Sequence, residues 1–133
     1  MWASLIARRI IGKNYICRLR MASTSSPGTL KPKLYMLQYD YVADAFEKRK
    51  PYREAHLAHM GKQVEKGNVV LGGAYGHPPI GGLIILRNLS LNDIEQLAQQ
   101  DPYVTNGIVT KYTIQPYMAV VGDTLLSNDL IKI

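Results

Sequence analysis

The chain has 133 residues, of which 47% are hydrophobic, and a formal net charge of +6. This length allows one domain, and this hydrophobic share is that of an ordinary globular protein. The charge is uneven, because residues 1–33 carry seven basic and no acidic side chains, whereas residues 34–133 carry nine basic and ten acidic ones. The basic character belongs to the leader, so the net charge gives no support to a nucleic-acid partner.

The leader, residues 1–22, is rich in arginine, contains serine and lacks acidic residues, which is typical of a mitochondrial transit peptide. Arg8, Arg9 and Lys13 interrupt its apolar runs, so a membrane span or a secretory signal fits poorly. A disordered basic arm without a targeting role is the alternative. Met21 offers a second start, which would add a cytoplasmic form. N-terminal sequencing that finds only unprocessed Met1 in the endogenous protein would contradict both hypotheses.

Composition divides the chain into four parts, since Ser, Thr, Pro and Gly cluster after the leader. The predicted parts are a transit peptide at 1–22, a linker at 23–33, a folded domain at 34–121 and a C-terminal tail of unassigned role at 122–133.

Six elements are predicted within the folded domain from apolar spacing, caps and breakers. They are a strand at Leu34–Asp40, a helix at Pro51–Lys66, strands at Val69–Gly73 and Leu83–Arg87, a helix capped by Ser90 and ended by Asp101–Pro102, and a strand at Ile108–Val121. Residues 42–50 are predicted to form a turn, and Gly67 to end the first helix. Pro116 indicates an edge position or a bulge in the last strand.

The order βαββαβ predicts a ferredoxin-like α+β fold, with two helices on one face of a four-stranded antiparallel sheet. The third strand, Leu83–Arg87, is apolar on consecutive residues, and Leu34, Met36 and Leu37 also alternate poorly. A strand that is apolar on both faces is normally buried on both. Because no further element remains to cover the second face, the sequence predicts a homodimer packed sheet to sheet.

The first helix carries two of the chain's three histidines, His56 and His59. Helical spacing places Leu57, Met60 and Val64 on one apolar stripe, which is predicted to face the core. His56 lies about 75° from the centre of that stripe, at the border between core and solvent. His59 lies about 135° away and is predicted to point toward water.

Familiar nucleotide-binding, hydrolase and zinc-protease motifs are absent from the sequence, and the single cysteine, Cys17, is in the leader. His56 and His59 have the spacing of metal ligands, but no third ligand is evident nearby, so neither a metal nor a cofactor is expected. The pair Gly72 and Gly73 precedes a strand rather than a helix, which argues against a phosphate cradle. A ligand-lining role and plain turn chemistry are equally favoured for these glycines.

Asp101 follows the second helix in the sequence Asp-Pro-Tyr. Spacing alone favours a role as a turn or cap acceptor. Both helices lie on the same face of the predicted sheet, however, so an approach of Asp101 to His56 is sterically possible.

Four segments together resemble the YCII-related (YciI-like) family, over a stretch from Leu34 to about Val121. They are REAHLAHM at Arg53–Met60, the glycine pair at Gly72–Gly73, the GLIIL strand, and QDPYVTNGIV at Gln100–Val109. The resemblance implies a dimeric ferredoxin-like α/β barrel, similar in fold to muconolactone isomerases and small monooxygenases.

The resemblance also implies a histidine–aspartate dyad, which maps onto His56 and Asp101 and which serves dehydrochlorination of a muconate-type compound in one branch of the family. A carboxylate that accepts an imidazole N–H fixes the tautomer and makes the ring a general base near neutral pH. Arg53 is predicted to hold a substrate carboxylate, or else to pair with a neighbouring acid. Tyr103 would donate a hydrogen bond or only pack. His77 is a weaker candidate that departs from the family pattern.

The leading functional hypothesis is a cofactor-independent lyase or isomerase that uses the dyad on a small anionic metabolite. A non-catalytic ligand-binding or stress-related dimer is the alternative. A heme- or quinone-handling monooxygenase is disfavoured, because fold alone does not define function.

Overall fold

The computed structural model describes residues 33–122; the leader, nearly all of the linker and the tail after Gly122 lie outside the described residues. The elements are β1 (Leu34–Tyr41), α1 (Ala45–Lys48), a 3₁₀ turn (Lys50–Tyr52), α2 (Arg53–Glu65), β2 (Val69–Tyr75), β3 (Gly81–Arg87), α3 (Leu91–Gln99), α4 (Pro102–Thr105) and β4 (Val109–Tyr117). Within residues 33–122, no helix has the length and apolar character needed to cross a membrane.

The four strands form one antiparallel sheet in the order β2-β3-β1-β4. This arrangement confirms the predicted ferredoxin-like α+β fold. Pro116 lies in β4, an edge strand, as its missing N–H requires. The register irregularity of this pair lies instead at Asp40–Tyr41 in β1.

The main core lies between the helices and one face of the sheet. Alternate residues of β1 point to this face, and Leu37 and Tyr39 are almost completely buried there. From the helical side, α3 contributes Ile94, Leu97 and Ala98, which recur at helical spacing and are buried. This packing places Asp101, which precedes α4, against Tyr39 of β1 and His56 of α2.

Local sequence signals explain where α2 and α3 end or begin. Ser90 caps α3 in a reciprocal capping box, since its side chain accepts the N–H of Asp93 while the Asp93 carboxylate accepts the N–H of Ser90. Gly67 follows α2 with a φ of 74°, a left-handed conformation that glycine adopts without a steric penalty. Both predicted boundaries are confirmed.

The predicted orientation of α2 is wrong for two of its apolar residues. Met60 is buried, but Leu57 and Val64 are 51% and 57% exposed. His59, predicted to point toward water, is half-buried and bonds the Leu97 carbonyl oxygen through Nε2 at 2.8 Å. The helix is thus rotated so that its histidines, rather than its apolar stripe, face α3 and α4.

Other boundaries also differ from the prediction, and α2 begins at Arg53 rather than Pro51 because a 3₁₀ turn precedes it. Residues 42–50 contain the short helix α1 rather than only a turn. Strand β4 ends at Tyr117, and Ala119 instead packs on the second face of the sheet, against Leu34 and Ile85. The chain therefore covers one end of that face itself, which the sequence argument for an entirely uncovered face did not foresee.

Candidate functional site

Three elements of the fold bring polar groups together beneath α2. Tyr39 comes from the buried face of β1, His56 from the first half of α2, and Asp101 from the residue that precedes α4. Asp101 is the N-cap of α4, with Pro102 at the first helical position, and its Oδ1 accepts the N–H of Tyr103 at 2.8 Å. The cap role that spacing favours is thus present, and it holds the carboxyl group in one orientation.

The imidazole of His56 lies against this carboxyl group. Nδ1 is 2.8 Å from Asp101 Oδ1 and 3.0 Å from Oδ2. From the sheet side, the hydroxyl group of Tyr39 donates to Asp101 Oδ2 at 3.0 Å. The side chain of Asp101 is fully buried, whereas that of His56 retains 14% exposure.

The partners of Asp101 indicate its ionisation state. It is surrounded by a phenol O–H, a backbone N–H and an imidazole nitrogen, all of which can donate. A carboxylate accepts at both oxygens, whereas a carboxylic acid must donate once. The arrangement therefore suits a buried carboxylate satisfied by charge-assisted hydrogen bonds, and in that state the proton of His56 lies on Nδ1. Burial raises the pKa of Tyr39, and the nearby charge of Asp101 raises it further, so this phenol stays a hydrogen-bond donor.

The imidazole is also fixed by stacking. The ring of Tyr103 lies parallel to that of His56, with centroids 3.9 Å apart and an interplanar angle of 4°. Tyr103 in turn packs against Tyr41 in a T-shaped arrangement, at a centroid separation of 6.0 Å. With one nitrogen bonded and one face covered, the ring has a single free polar atom, because Nε2 has no hydrogen-bond partner among residues 33–122.

A cavity of about 430 Å³ opens beside His56, between α2 and the β2 edge of the sheet. Its lining comprises Tyr39, Tyr41, Arg49, Arg53, His56, Leu57, Met60, Gly61, Val64, Val69, Gly72, Gly73, Ala74, Gly82, Ile84 and Tyr103. Gly72 and Gly73 lie within β2 rather than in a turn. A Cβ on Gly72 would make ordinary contacts with Ile84, and one on Gly73 would meet nothing within 4 Å. Neither conformation nor crowding within residues 33–122 therefore requires glycine at these two positions.

Two arginines give the cavity a positive end. Arg49 and Arg53 both line it, and their charges both act on the phenol of Tyr103, where they oppose the rise in pKa that burial causes. Neither forms an ion pair with a carboxylate among the described residues, so the pairing alternative for Arg53 is not observed there. The guanidinium of Arg49 also lies 5.4 Å from the centroid of Phe46. Guanidinium groups without a carboxylate partner are able to bind an anion.

The structure thus places Arg53, His56, Gly72, Gly73 and Tyr103 at one cavity, and Asp101 lies behind His56. His59 and His77 do not line that cavity. Arg49, Tyr39 and Tyr41 also line the cavity and were not predicted from the sequence. The alternation of β1 assigns both tyrosines to one face, but no local signal singles out Tyr39 as the partner of Asp101, 62 positions away.

Tyr41 provides a test of this packing at high pH. Burial raises its pKa from 10.0 to about 12. The folded state therefore binds the phenol proton more tightly than the unfolded state does. The stabilisation that results is fully present below pH 10 and is lost as the pH rises from about 10 to about 12. We expect Tyr41→Phe to reduce the loss of stability over this interval, measured by urea unfolding at stepped pH. Tyr117→Phe, at an exposed position, is the control, and an equal reduction in both variants would contradict the assignment.

Among residues 33–122, no group of three or more His, Cys, Asp or Glu side chains is arranged to hold a metal ion. His56 and His59 bond to different partners, Asp101 and the Leu97 carbonyl. The polar side-chain groups that line the cavity are the imidazole of His56, tyrosine hydroxyls and the guanidinium groups of Arg49 and Arg53.

Comparison with known proteins gives two positive findings. The family model of the YCII-related domain matches residues 33–118. The fold is similar to 5-chloro-2-hydroxyhydroquinone dehydrochlorinase from Burkholderia phenoliruptrix, solved in complex with 2,5-dihydroxybenzoquinone, with a TM-score of 0.55 and 16% sequence identity over 63% of this chain and 92% of that chain. No curated protein sequence matches the chain. Because the family model spans well over half of the sequence, the chain belongs to the YCII-related domain family.

Proposed function

We propose that this protein is a cofactor-independent lyase or isomerase that removes a proton from a small anionic metabolite. The observation that carries the proposal is the contact between His56 Nδ1 and the buried Asp101 carboxylate. It leaves Nε2 as the one ring nitrogen without a partner among the described residues, at the wall of a cavity. His56 is the general base and Asp101 the residue that orients it.

The proton transfer follows from the hydrogen bonds. While Nδ1–H donates to Asp101, the lone pair of Nε2 is free to accept a proton from a substrate carbon or hydroxyl group. The imidazolium that forms is stabilised by the adjacent carboxylate, which itself is held by Tyr39 and the backbone of Tyr103. The same nitrogen can return the proton to another atom of the substrate, or retain it while a leaving group departs. The first outcome is an isomerisation and the second an elimination.

The arginines supply the substrate anchor in this proposal. Arg53 lies one helical turn before His56, and Arg49 lines the same cavity. A guanidinium that binds a carboxylate or an enolate holds the substrate and stabilises the negative charge that develops when the proton leaves. The fold-related dehydrochlorinase is an enzyme of a hydroxylated ring compound, which supports a catalytic role by analogy of fold alone.

A non-catalytic binding module is the second candidate, because the unpaired arginines would hold an anion whether or not His56 abstracts a proton. Incubation of the protein in heavy water with a panel of oxo acids, enol lactones and hydroxylated ring acids separates the two. Catalysis predicts deuterium incorporation or conversion of at least one compound, detected by mass spectrometry. Binding of panel members without exchange in any of them would favour the binding module.

We also infer a homodimer formed through the second face of the sheet. Beyond the end covered by Ala119, this face presents Met36 and Leu83 around a hollow of about 530 Å³, and Leu71 beside them is 65% exposed. An apolar surface of this kind on a sheet is stabilised by a second sheet packed against it. The inferred occupant is a second copy of the chain.

Sedimentation velocity at micromolar concentration tests this assembly. We expect the unmodified protein to sediment as a dimer and Leu83→Lys as a monomer, because the substitution places a charge within the proposed interface. Leu91→Lys, at a position 53% exposed on α3, is the matched control and should leave the dimer intact. A monodisperse monomer of the unmodified protein would contradict the inference.

A further inference from the structure

The cavity beside His56 continues along α2 as an apolar groove. Two rows of side chains four residues apart line it on the helix: Arg53, Leu57 and Gly61 in one row, and His56, Met60 and Val64 in the other. Each row begins with a polar residue and continues with apolar or small ones. The wall is therefore polarised along the helix axis, with the charge at its N-terminal end.

The apolar part of this wall is open. Leu57 and Val64 are 51% and 57% exposed, and a Cβ on Gly61 between them would meet nothing within 4 Å. On the opposite side of the groove, the lining is formed by the apolar side chains of Val69 and Ile84. Removing such surface from water is favourable, so a ligand with an apolar portion gains affinity here.

The length of the groove bears on the size of that ligand. From Arg53 to Val64 the helix rises about 16 Å, at 1.5 Å per residue. Neither Lys62 nor Lys66 lines the cavity, so among the described residues its permanently charged lining groups are Arg49 and Arg53, both at one end. A compact dicarboxylate would occupy only the charged end of the groove and leave the apolar part empty. A second anionic group further along the groove would have no guanidinium partner among the described residues.

We propose that the ligand of this site is an amphipathic acid, with one anionic head at Arg49 and Arg53 and an apolar body lying along Leu57, Gly61 and Val64. This inference rests on the proposed function for its anionic head, and it adds the substrate class. The body extends away from Nε2 of His56, which leaves the carbon atoms next to the head group within reach of the base.

Isothermal titration of the full chain with butanoate, octanoate and decanoate tests the proposal, with octan-1-ol as a probe that lacks the anionic head. We expect the affinity to rise about two- to fourfold with each added methylene group, and octan-1-ol to bind more weakly than octanoate. Gly61→Leu should abolish the dependence on chain length while butanoate binds as before, because the new side chain fills the groove and not the head site. Leucine also favours a helix more than glycine does, so this variant should fold.

Ala58→Leu is the matched control, since this exposed position on the same helix does not line the cavity. Equal affinities of butanoate and decanoate would overturn the amphipathic acid and leave the catalytic proposal intact. A length dependence among the alkanoates, with no exchange in the panel of oxo acids, enol lactones and hydroxylated ring acids, would uphold this inference and favour the binding module over catalysis. If Gly61→Leu alters sedimentation but not the binding of the acids, the groove is a contact between copies of the chain, and the inference fails.

Discussion

His56→Gln is expected to lower the rate of deuterium exchange into a converted acid by about 10²–10⁴-fold, the usual contribution of a positioned general base. Glutamine is uncharged and not basic, so it cannot accept the proton. The arginines that hold the anion are unchanged, so the dissociation constant of the acid should change far less than the exchange rate. Both quantities are measured on the same acid, one by mass spectrometry in heavy water and the other by titration calorimetry.

His59→Gln is the matched control, because it lies on the same helix but bonds the Leu97 carbonyl outside the cavity. Loss of this hydrogen bond should lower the free energy of unfolding by about 1 kcal/mol at most and leave the rate of deuterium exchange unchanged. Equal exchange by His56→Gln and the unmodified protein would remove His56 from the role of base. Loss of exchange in both variants would point to a disturbed helix rather than to a lost base.

Much of the fold could be predicted because its signals are local. Apolar spacing, the Ser90 cap and the left-handed Gly67 each fix an element within a few residues of themselves. The order of the elements then leaves few topologies, and the antiparallel ferredoxin-like sheet is one of them. The rotation of α2 was not predictable in this way, because Leu57 and Val64 have the spacing of core residues but flank a groove.

The site was predictable only in part, for a similar reason. His56 and Asp101 lie in segments typical of the family, but Arg49 and Tyr39 do not stand out in the sequence. Arg49 enters the cavity lining because α1 and the 3₁₀ turn fold the chain tightly between Ala45 and Tyr52. Tyr39 reaches Asp101 across 62 positions, a contact that exists only once the sheet and the helices have packed.

The packing also explains how the carboxylate of Asp101 is tolerated in the core. A buried carboxylate is costly unless hydrogen bonds replace its hydration. Here Tyr39, His56 and the backbone of Tyr103 provide them, and α4 holds the carboxyl group by its capping geometry. The same hydrogen bonds orient His56 and join the sheet to α2 and α4, so a substitution of Asp101 is expected to affect both the orientation of His56 and the local stability.

Asp101→Asn is expected to have a large effect on the exchange rate and a moderate effect on stability. When the amide oxygen takes the Oδ1 position and accepts the N–H of Tyr103, the NH₂ group takes the Oδ2 position, 3.0 Å from His56 Nδ1. A donor at that position favours the tautomer with the proton on Nε2. That tautomer offers a donor to the cavity, so exchange should fall by about 10³–10⁴-fold, while stability falls by about 1–3 kcal/mol. Ring-nitrogen NMR of His56 reports the tautomer, and urea unfolding reports the stability. Asp40→Asn, an exposed carboxylate on β1, should change neither. An unchanged tautomer in Asp101→Asn would mean that Asp101 does not orient the base.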